Sequence, residues 1–548
     1  MNLKEFLRRK ILGLTGMVKH DGTPNDDRLT FINDSTRLIR TKLKEYNIWY
    51  DGDEDEIFNF YTGNNTFEYN YEPFYLRNKK TYFWTISATE TDIKRTHSGI
   101  PKSIVDTLVS ITRFPSIRAG KTGLAYDKVN QNLKAILKHA RIRTKYKDRQ
   151  MPLTMVEGWG CWKINWDNQY SKYPTAVYYR ADAVDFIYKN EDIIGVMFRD
   201  YYQGADNKRY LVNETRAFKI IDGVKKLCID TEVFRAVKDT DEVARIENFK
   251  EVVPELSGIE EHIEFDNCDI LFAVPCIFWE ETDRTGAYGK SIFKGKIGLF
   301  DDLDQACSQS ANSVRKSTPI EYIDSEYLER DRSTGLPKQP KAYDRKYTMF
   351  KGSKNADGSS TGSGPVQVTQ PQLNFKQYSD ECVDIIARII HGIISPATLG
   401  IDLAKRDNAE AQREKEKVTI FTRNNIIDSE TVILQDLCSQ LLCAYEFMNS
   451  GKITHKEYDI SVKFSEFADD SFENKLQKLG EAYNAENLSD KMFMTKLYGD
   501  TLSDAEFEEE LKWLKENHTE PRTEGMLGAA GGGANVPGMM NDDSEEEL

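Results

Sequence analysis

The chain has 548 residues, with 89 Asp and Glu against 74 Lys and Arg and a formal net charge of −15. Hydrophobic residues make up 39%, enough for real cores, while the acidic balance argues against a protein that grips nucleic acid by charge alone. The length predicts roughly two to four packed units, and no apolar run approaches the ~20 residues of a bilayer-crossing helix.

In chain order, residues 1–12 read as the start of an amphipathic helix without the apolar core of a signal peptide. The protein is therefore expected in a cytoplasm unless an assembly carries it elsewhere. The alternating carboxylates of Asp51, Asp53 and Asp55 invite a calcium reading. However, Glu56 stands where an EF-hand loop needs Gly, and Thr62 where it needs a bidentate Glu, so a solvated acidic loop is expected, with weak divalent binding left open. Residues 102–111 follow Pro101 with Ile104, Val105, Leu108, Val109 and Ile111 close to helical spacing, and 126–140 repeat the pattern with Val129, Leu133, Ile136 and Leu137. The basic series Lys134, Lys138, Arg141, Arg143, Lys145, Lys147 and Arg149 ends that helix. It suits either phosphate contact or a solvated helix end paired with acids such as Asp148. Aromatic clusters at 71–75, 82–84 and 159–162 suit core packing and subunit contacts better than base stacking.

From 176 to 230 the pattern changes to strands, at 176–179, 184–188, 193–198, 210–212, 218–221 and 227–229. Lys189-Asn190-Glu191-Asp192, residues 203–207 and Asp222-Gly223 are the turn signals between them. An antiparallel sheet packed on helices is predicted.

Gly289-Lys290-Ser291, after the apolar run 270–279, matches the end of a phosphate-binding loop. Arg284 occupies the place of its first glycine, and no apolar run ending in Asp-Glu supplies a Mg²⁺ partner. Eight cysteines show no C-x-x-C pair and read as buried small hydrophobes, and none of the seven histidines falls in an H-E-x-x-H arrangement. Neither metal nor cofactor is expected.

Residues 297–317 place Leu299, Phe300, Leu303, Cys307, Ala311 and Val314 on one helical face. Asp301, Asp302, Asp304, Gln305, Ser308, Ser310 and Asn312 lie around the rest, either as solvated surface or as a small-residue face for a neighbouring helix. A second helix spans 375–394 and stops before Ser395-Pro396. Between them, 318–373 hold short alternating runs and the low-complexity string 352–365, read as a small β-containing module with a mobile loop. A loop, 397–407, ends in Lys405-Arg406-Asp407, and 401–450 then contain no Gly or Pro. That run predicts a helix of about 40 residues and about 60 Å, or two helices joined near Arg423-Asn424-Asn425. Past a strand-like segment at 458–464, short charged helices are read at 472–485, 489–498 and 504–516, and a disordered tail at 525–548.

This order of parts resembles the portal proteins of tailed bacteriophages. Ser98-Gly99-Ile100-Pro101-Lys102-Ser103 followed by Phe114-Pro115 is similar to that family's early helix and turn. Residues 183–202, ending Arg199-Asp200-Tyr201-Tyr202, are similar to its wing strands. Tyr288-Gly289-Lys290-Ser291 sits where it carries Tyr-Gly-x-Ser before the first stem helix, and Ser395-Pro396-Ala397-Thr398-Leu399-Gly400 leads into its tunnel loop. The match runs in order from about Gly99 to Met448 through degenerate motifs.

The resemblance implies an α+β, multi-region fold. Its parts are a mixed α/β wing (1–285), stem helices (286–317 and 374–394), a small β-containing clip (318–373) and a tunnel loop (395–407). A long kinked helix (408–451) returns to the wing, followed by an α-helical crown (452–524) and a disordered acidic tail (525–548). Such proteins form rings, usually of twelve subunits, around a double-stranded DNA channel. Thr398, Lys405, Arg406 and Asp407 would line its narrowest passage. Tyr322, Tyr327, Arg330, Lys338 and Tyr343 would form the clip surface that docks the terminase large subunit and then the head–tail adaptor. Capsid and scaffolding proteins are the further partners, and no membrane is involved. The resemblance places the protein at the portal vertex of the virion, and in the host cytoplasm during assembly. It implies no catalytic residue. The alternatives are a DNA-packaging ATPase or nuclease, or another structural virion protein such as an adaptor.

Overall fold

The computed structural model of the protein describes residues 34–62, 82–85, 93–119, 124–167, 171–206, 209–236, 243–266, 268–279, 281–283, 286–316, 320–324, 328, 330–337, 346–350, 366–369, 375–401, 416–452, 457–465, 479–480, 489–498 and 504–517. The sequence readings at 1–12, 71–75, 352–365 and 525–548, and most of that at 472–485, lie outside them. The chain divides into two compact units, Met1–Phe464 and Ser465–Leu548.

The first unit opens with helices α1 (Asp34–Asp51), α2 (Glu54–Thr62) and α3 (Ile100–Thr112), then strand β1 (Ser116–Ala119) and helices α4 (Leu124–His139) and α5 (Met151–Glu157). Helix α3 starts where Pro101, with no N–H to satisfy, follows Gly99 in the left-handed region at φ 69°. Of the residues picked out by their spacing it buries Ile104, Val105, Leu108 and Val109, while Ile111 is half-buried.

Strands β2 (Trp159–Asn165), β3 (Thr175–Arg180), β4 (Val184–Lys189), β5 (Asp192–Gln203), β6 (Arg209–Ile221), β7 (Val224–Ala236), β8 (Val243–Ile246), β9 (His262–Asp266) and β10 (Ala273–Ile277) follow. They form two antiparallel sheets. One has the order β10-β2-β3; the other runs β4-β5-β6-β7, with β8 and β9 both pairing β7. The fold is α+β. Both tight hairpins of the larger sheet turn where the sequence signals them. Asn190 and Glu191 take φ of 53° and 70°, and Asp222 and Gly223 φ of 52° and 77°, the twist-matched turn with two positive φ values.

The larger sheet packs less on long helices than the sequence reading expects. Val184, Phe186, Val196 and Phe198 form a core with Trp159, Cys161 and Ala273 of the smaller sheet. Tyr210, Val212 and Val233 are covered by Phe249, Val253 and Leu256 of two short helical turns. The two short segments read at 210–212 and 218–221 are one strand, β6, because its charged middle is satisfied inside the protein. Lys163 Nζ lies 2.7 Å from Glu214 Oε2, and Arg216 Nε 2.8 Å from Glu214 Oε1. Arg216 Nη1 donates to the carbonyls of Ile164 and Phe272. Burial pushes the Glu214 carboxyl up, but Arg216 and Lys163 outweigh it and hold it down to about 2.

Two short strands, β11 (Glu281–Asp283) and β12 (Gly286–Tyr288), lead to helix α6 (Ile297–Lys316). Strands β13 (Ile320–Asp324), β14 (Lys346–Phe350) and β15 (Val366–Thr369) then precede helices α7 (Phe375–Ile390) and α8 (Lys417–Ser450) and strand β16 (Ile460–Lys463), which pairs with β1. Helix α8 runs unbroken for 34 residues, about 51 Å at 1.5 Å per residue, so the break considered near Arg423-Asn424-Asn425 is absent. Arg423 and Ile426 are buried there, and Arg423 Nε donates to the carbonyl of Ile111 at the end of α3. Ile433, Leu434, Leu437, Leu441 and Leu442 enter the main core, each contributing about 1.5–3 kcal/mol by burial. Gly451 ends the helix at φ 66°, a conformation that suits a residue without a Cβ.

The second unit contains helices α9 (Asp490–Tyr498) and α10 (Asp504–Asn517), which pack on each other. Met494, Leu497, Leu511 and Leu514 are buried. Among the described residues no helix is long and apolar enough to cross a membrane.

Candidate functional site

Helices α6 and α7 form an antiparallel hairpin. Near its base Lys296 Nζ donates to the carbonyls of Arg388 (2.9 Å) and His391 (3.3 Å), a cation on the unpaired carbonyls of a helix end. Further along, the Sγ atoms of Cys307 and Cys382 lie 3.8 Å apart, and Ser313 Oγ reaches Tyr378 OH at 3.2 Å. These two cysteines are half-buried, unlike the other six, so burial as small hydrophobes does not describe all eight. In the chain segment that joins the two helices is a three-stranded sheet of order β14-β13-β15, with β13–β14 parallel and β13–β15 antiparallel.

The polar face of α6 is neither solvated surface nor a free small-residue face along its first three turns. Asp301, Asp304 and Ser308, at helical spacing, are buried. Asp301 accepts the backbone N–H groups of Phe83 (2.8 Å) and Trp84 (3.3 Å). Asp304 accepts Trp84 Nε1–H (3.0 Å) and the Ser98 N–H (2.8 Å), and its Oδ2 lies 2.8 Å from His97 Nδ1. Ser308 Oγ accepts the Thr96 N–H at 3.1 Å. One helix face therefore satisfies the backbone of two segments more than 200 residues away, while Asp302, between the two buried acids, stays exposed.

Beyond α7 the chain coils tightly. Gly400 N–H bonds the Ala397 carbonyl and Ile401 N–H that of Pro396, both at 3.1 Å. Thr419, on the first turn of α8, accepts the Ser395 N–H at 2.8 Å, and its Oγ1 lies 2.9 Å from that of Thr398. Thr398 thus joins the loop to the start of the long helix. Lys405, Arg406 and Asp407 lie outside the described residues, as do Tyr327, Lys338 and Tyr343. Tyr322 is the middle residue of β13. Arg330 is exposed and pairs in a bridge with Pro337 across a turn in which Asp331 Oδ1 accepts the Ser333 N–H at 2.8 Å.

Other motifs have local explanations. Gly289 packs on Gly158: a Cβ on Gly289 would stand 1.7 Å from the Gly158 carbonyl oxygen, so the Tyr288-Gly289 step requires glycine. The Lys290 N–H bonds the Phe278 carbonyl, and Ser291 Oγ accepts the Phe293 N–H. These groups hold the chain rather than encircling a phosphate. In the acidic run, Asp53 Oδ1 accepts the N–H groups of Asp55 (2.9 Å) and Glu56 (3.1 Å), capping α2. Of the basic series, Lys145 Nζ donates to the Ala176 carbonyl at 2.6 Å, and the other six are exposed.

Sequence reasoning missed several buried carboxylates, Glu157 and Glu430 among them, since nothing in their neighbours distinguishes them from surface acids. Glu157 accepts from Asn47 (2.9 Å), Arg180 Nε (2.9 Å) and the Ala181 N–H (2.8 Å), and burial pushes it up to about 7 against the pull of Arg180. Glu430, on α8, accepts Gln150 Nε2–H at 2.7 Å and no other hydrogen bond among the described residues, and burial pushes it up to about 8. Asp301 is likewise raised by burial to about 7.

No protein-family model and no curated protein sequence matches the chain. Among solved structures it is similar to a chain of a structure described as "Virion of native gene transfer agent (GTA) particle", with a TM-score of 0.32 and 12% identity, over 75% of this chain and 89% of that chain.

Proposed function

We propose that the protein is a structural component of a virion, specifically a portal subunit: one copy of a ring through which double-stranded DNA enters and leaves a phage head. The observation that carries this reading is the order of parts from 297 to 450. An antiparallel helix pair bears a small β-module at one end, and at the other the chain turns tightly over 395–401 ahead of a 34-residue helix that runs into the α/β body. In such a ring the helix pair is the stem, the β-module the clip, and the loop beyond Thr398 the inner rim of the channel.

Repeated around an axis, contacts between copies are head-to-tail, so each copy presents two different complementary faces. An acidic chain with few basic residues at the rim suits DNA that must slide: phosphates are repelled by the wall and guided by Lys405 and Arg406. The motor chemistry belongs to a terminase ATPase docked on the clip, and the head–tail adaptor takes the same surface after packaging. Replacing Lys405 and Arg406 together with alanine is expected to leave assembly intact and lower the yield of DNA-filled particles severalfold. Full packaging by that double variant removes the rim role.

A further inference from the structure

Strands β7 and β9 place four metal-ligand side chains on one face. Cys228 and Asp230 are two apart on β7, as are His262 and Glu264 on β9, so each pair projects to the same side. The antiparallel register sets Cys228 opposite Glu264 and Asp230 opposite His262. Ligand atoms of Cys228, His262 and Glu264 lie within 4.8 Å of one another.

The hydrogen bonds assign roles within this square. His262 Nδ1 lies 2.5 Å from Asp230 Oδ1, and Nε2 lies 2.8 Å from Glu264 Oε1. The outer oxygens of both acids are held by lysines: Asp230 Oδ2 by Lys219 Nζ at 2.6 Å, and Glu264 Oε2 by Lys226 Nζ at 2.9 Å. Lys226 also reaches Asp266 at 3.0 Å. Each carboxylate is thus turned to present its other oxygen to the imidazole. An Asp on Nδ1–H, with Nε2 directed at a carboxylate and a thiol nearby, is the arrangement in which a second carboxylate orients a metal-bound histidine.

We propose that Cys228, His262 and Glu264 bind a divalent first-row transition ion such as Zn²⁺, with Asp230 as the positioning residue. The ion takes the place of the proton between His262 Nε2 and Glu264 Oε1, and the Cys228 S–H becomes a thiolate; both protons leave to solvent. Bond lengths of about 2.0–2.2 Å to nitrogen and oxygen and about 2.3 Å to sulfur require ligand separations of roughly 3.3–3.8 Å, so modest side-chain rotation closes the site. Three protein ligands leave a fourth position for water, and the His262 side chain is 46% exposed, which opens that position to solvent. Thiolate and imidazole select such an ion over Mg²⁺ or Ca²⁺. Sequence inspection had no access to the site, because 34 residues separate Cys228 from His262 and only the strand register joins them.

The test is titration of the reduced full-length protein with Co²⁺. One equivalent is expected to give the visible bands of tetrahedral cobalt and a near-ultraviolet thiolate-to-cobalt band, displaced by Zn²⁺ and unaffected by excess Mg²⁺ or Ca²⁺. Cys228→Ala should abolish the thiolate band. Asp230→Asn should keep it and weaken affinity about 10–100-fold. His262→Ala, at an exposed position that leaves folding unchanged by circular dichroism, should weaken Co²⁺ binding at least as much. A wild-type protein without the thiolate band, or a band that survives Cys228→Ala, overturns the proposal and leaves an ionic lattice on a sheet surface.

Discussion

Asp304→Ala is expected to destabilise the first unit by roughly 4 kcal/mol, since each buried donor left without its partner costs about 1–3 kcal/mol. Three groups lose their acceptor together: Trp84 Nε1–H, the Ser98 N–H and the His97 ring nitrogen. Trp84 is buried, so the loss falls in the interior, where water cannot readily replace the carboxylate. Asp302→Ala, two residues away on the exposed side of the same helix, should change stability by no more than about 0.5 kcal/mol. Urea unfolding of the two variants beside the wild type measures both. Equal midpoints for the two would show that segments 82–85 and 96–98 are not held by α6.

Glu430 presents the opposite case, a buried carboxyl with a single donor among the described residues, and its largest effect is on pH dependence. Burial raises it from an ordinary 4.5 to about 8, so between those values the folded chain holds a proton that the unfolded chain has released. Stability falls with rising pH wherever the native state binds more protons. The stabilising difference is therefore complete below about pH 4.5 and is lost as pH rises through about 8. Asp301 and Glu157, raised to about 7, act with the same sign.

Glu430→Gln keeps the carbonyl oxygen that accepts from Gln150 and removes the ionisation. A tenfold change in proton affinity is worth about 1.4 kcal/mol, so the variant should gain on the order of 5 kcal/mol over wild type at pH 9 and almost nothing at pH 4.5. Denaturant unfolding at both pH values measures the difference. A variant whose stability tracks the wild type across that range would mean that Glu430 is ionised in the folded protein.

What the sequence made legible was set by local backbone chemistry. Asn190-Glu191 and Asp222-Gly223 turn the chain because Asn, Asp and Gly tolerate positive φ, with Glu191 carried into the same region beside Asn190, and the strands on either side follow. Pro101 and the Gly- and Pro-free run ending at Ser450 gave helices for equally local reasons. What stayed hidden depends on partners distant in the chain. Glu214 and Arg216 look like a break in β6 until Lys163 of the neighbouring sheet is seen to bond Glu214. Asp301 and Asp304 look like surface until Phe83, Trp84, His97 and Ser98 are seen to bond them. Of the candidate channel, Thr398 is joined to the start of α8, whereas Lys405, Arg406 and Asp407 lie outside the described residues.

Assembly state is the most direct test of the portal reading. Negative-stain electron microscopy of the purified full-length protein, with two-dimensional class averaging, should show closed rings with an axial channel, and the end views should give twelve copies. Particles that remain monomeric across a wide concentration range, with scaffolding protein supplied, would contradict it.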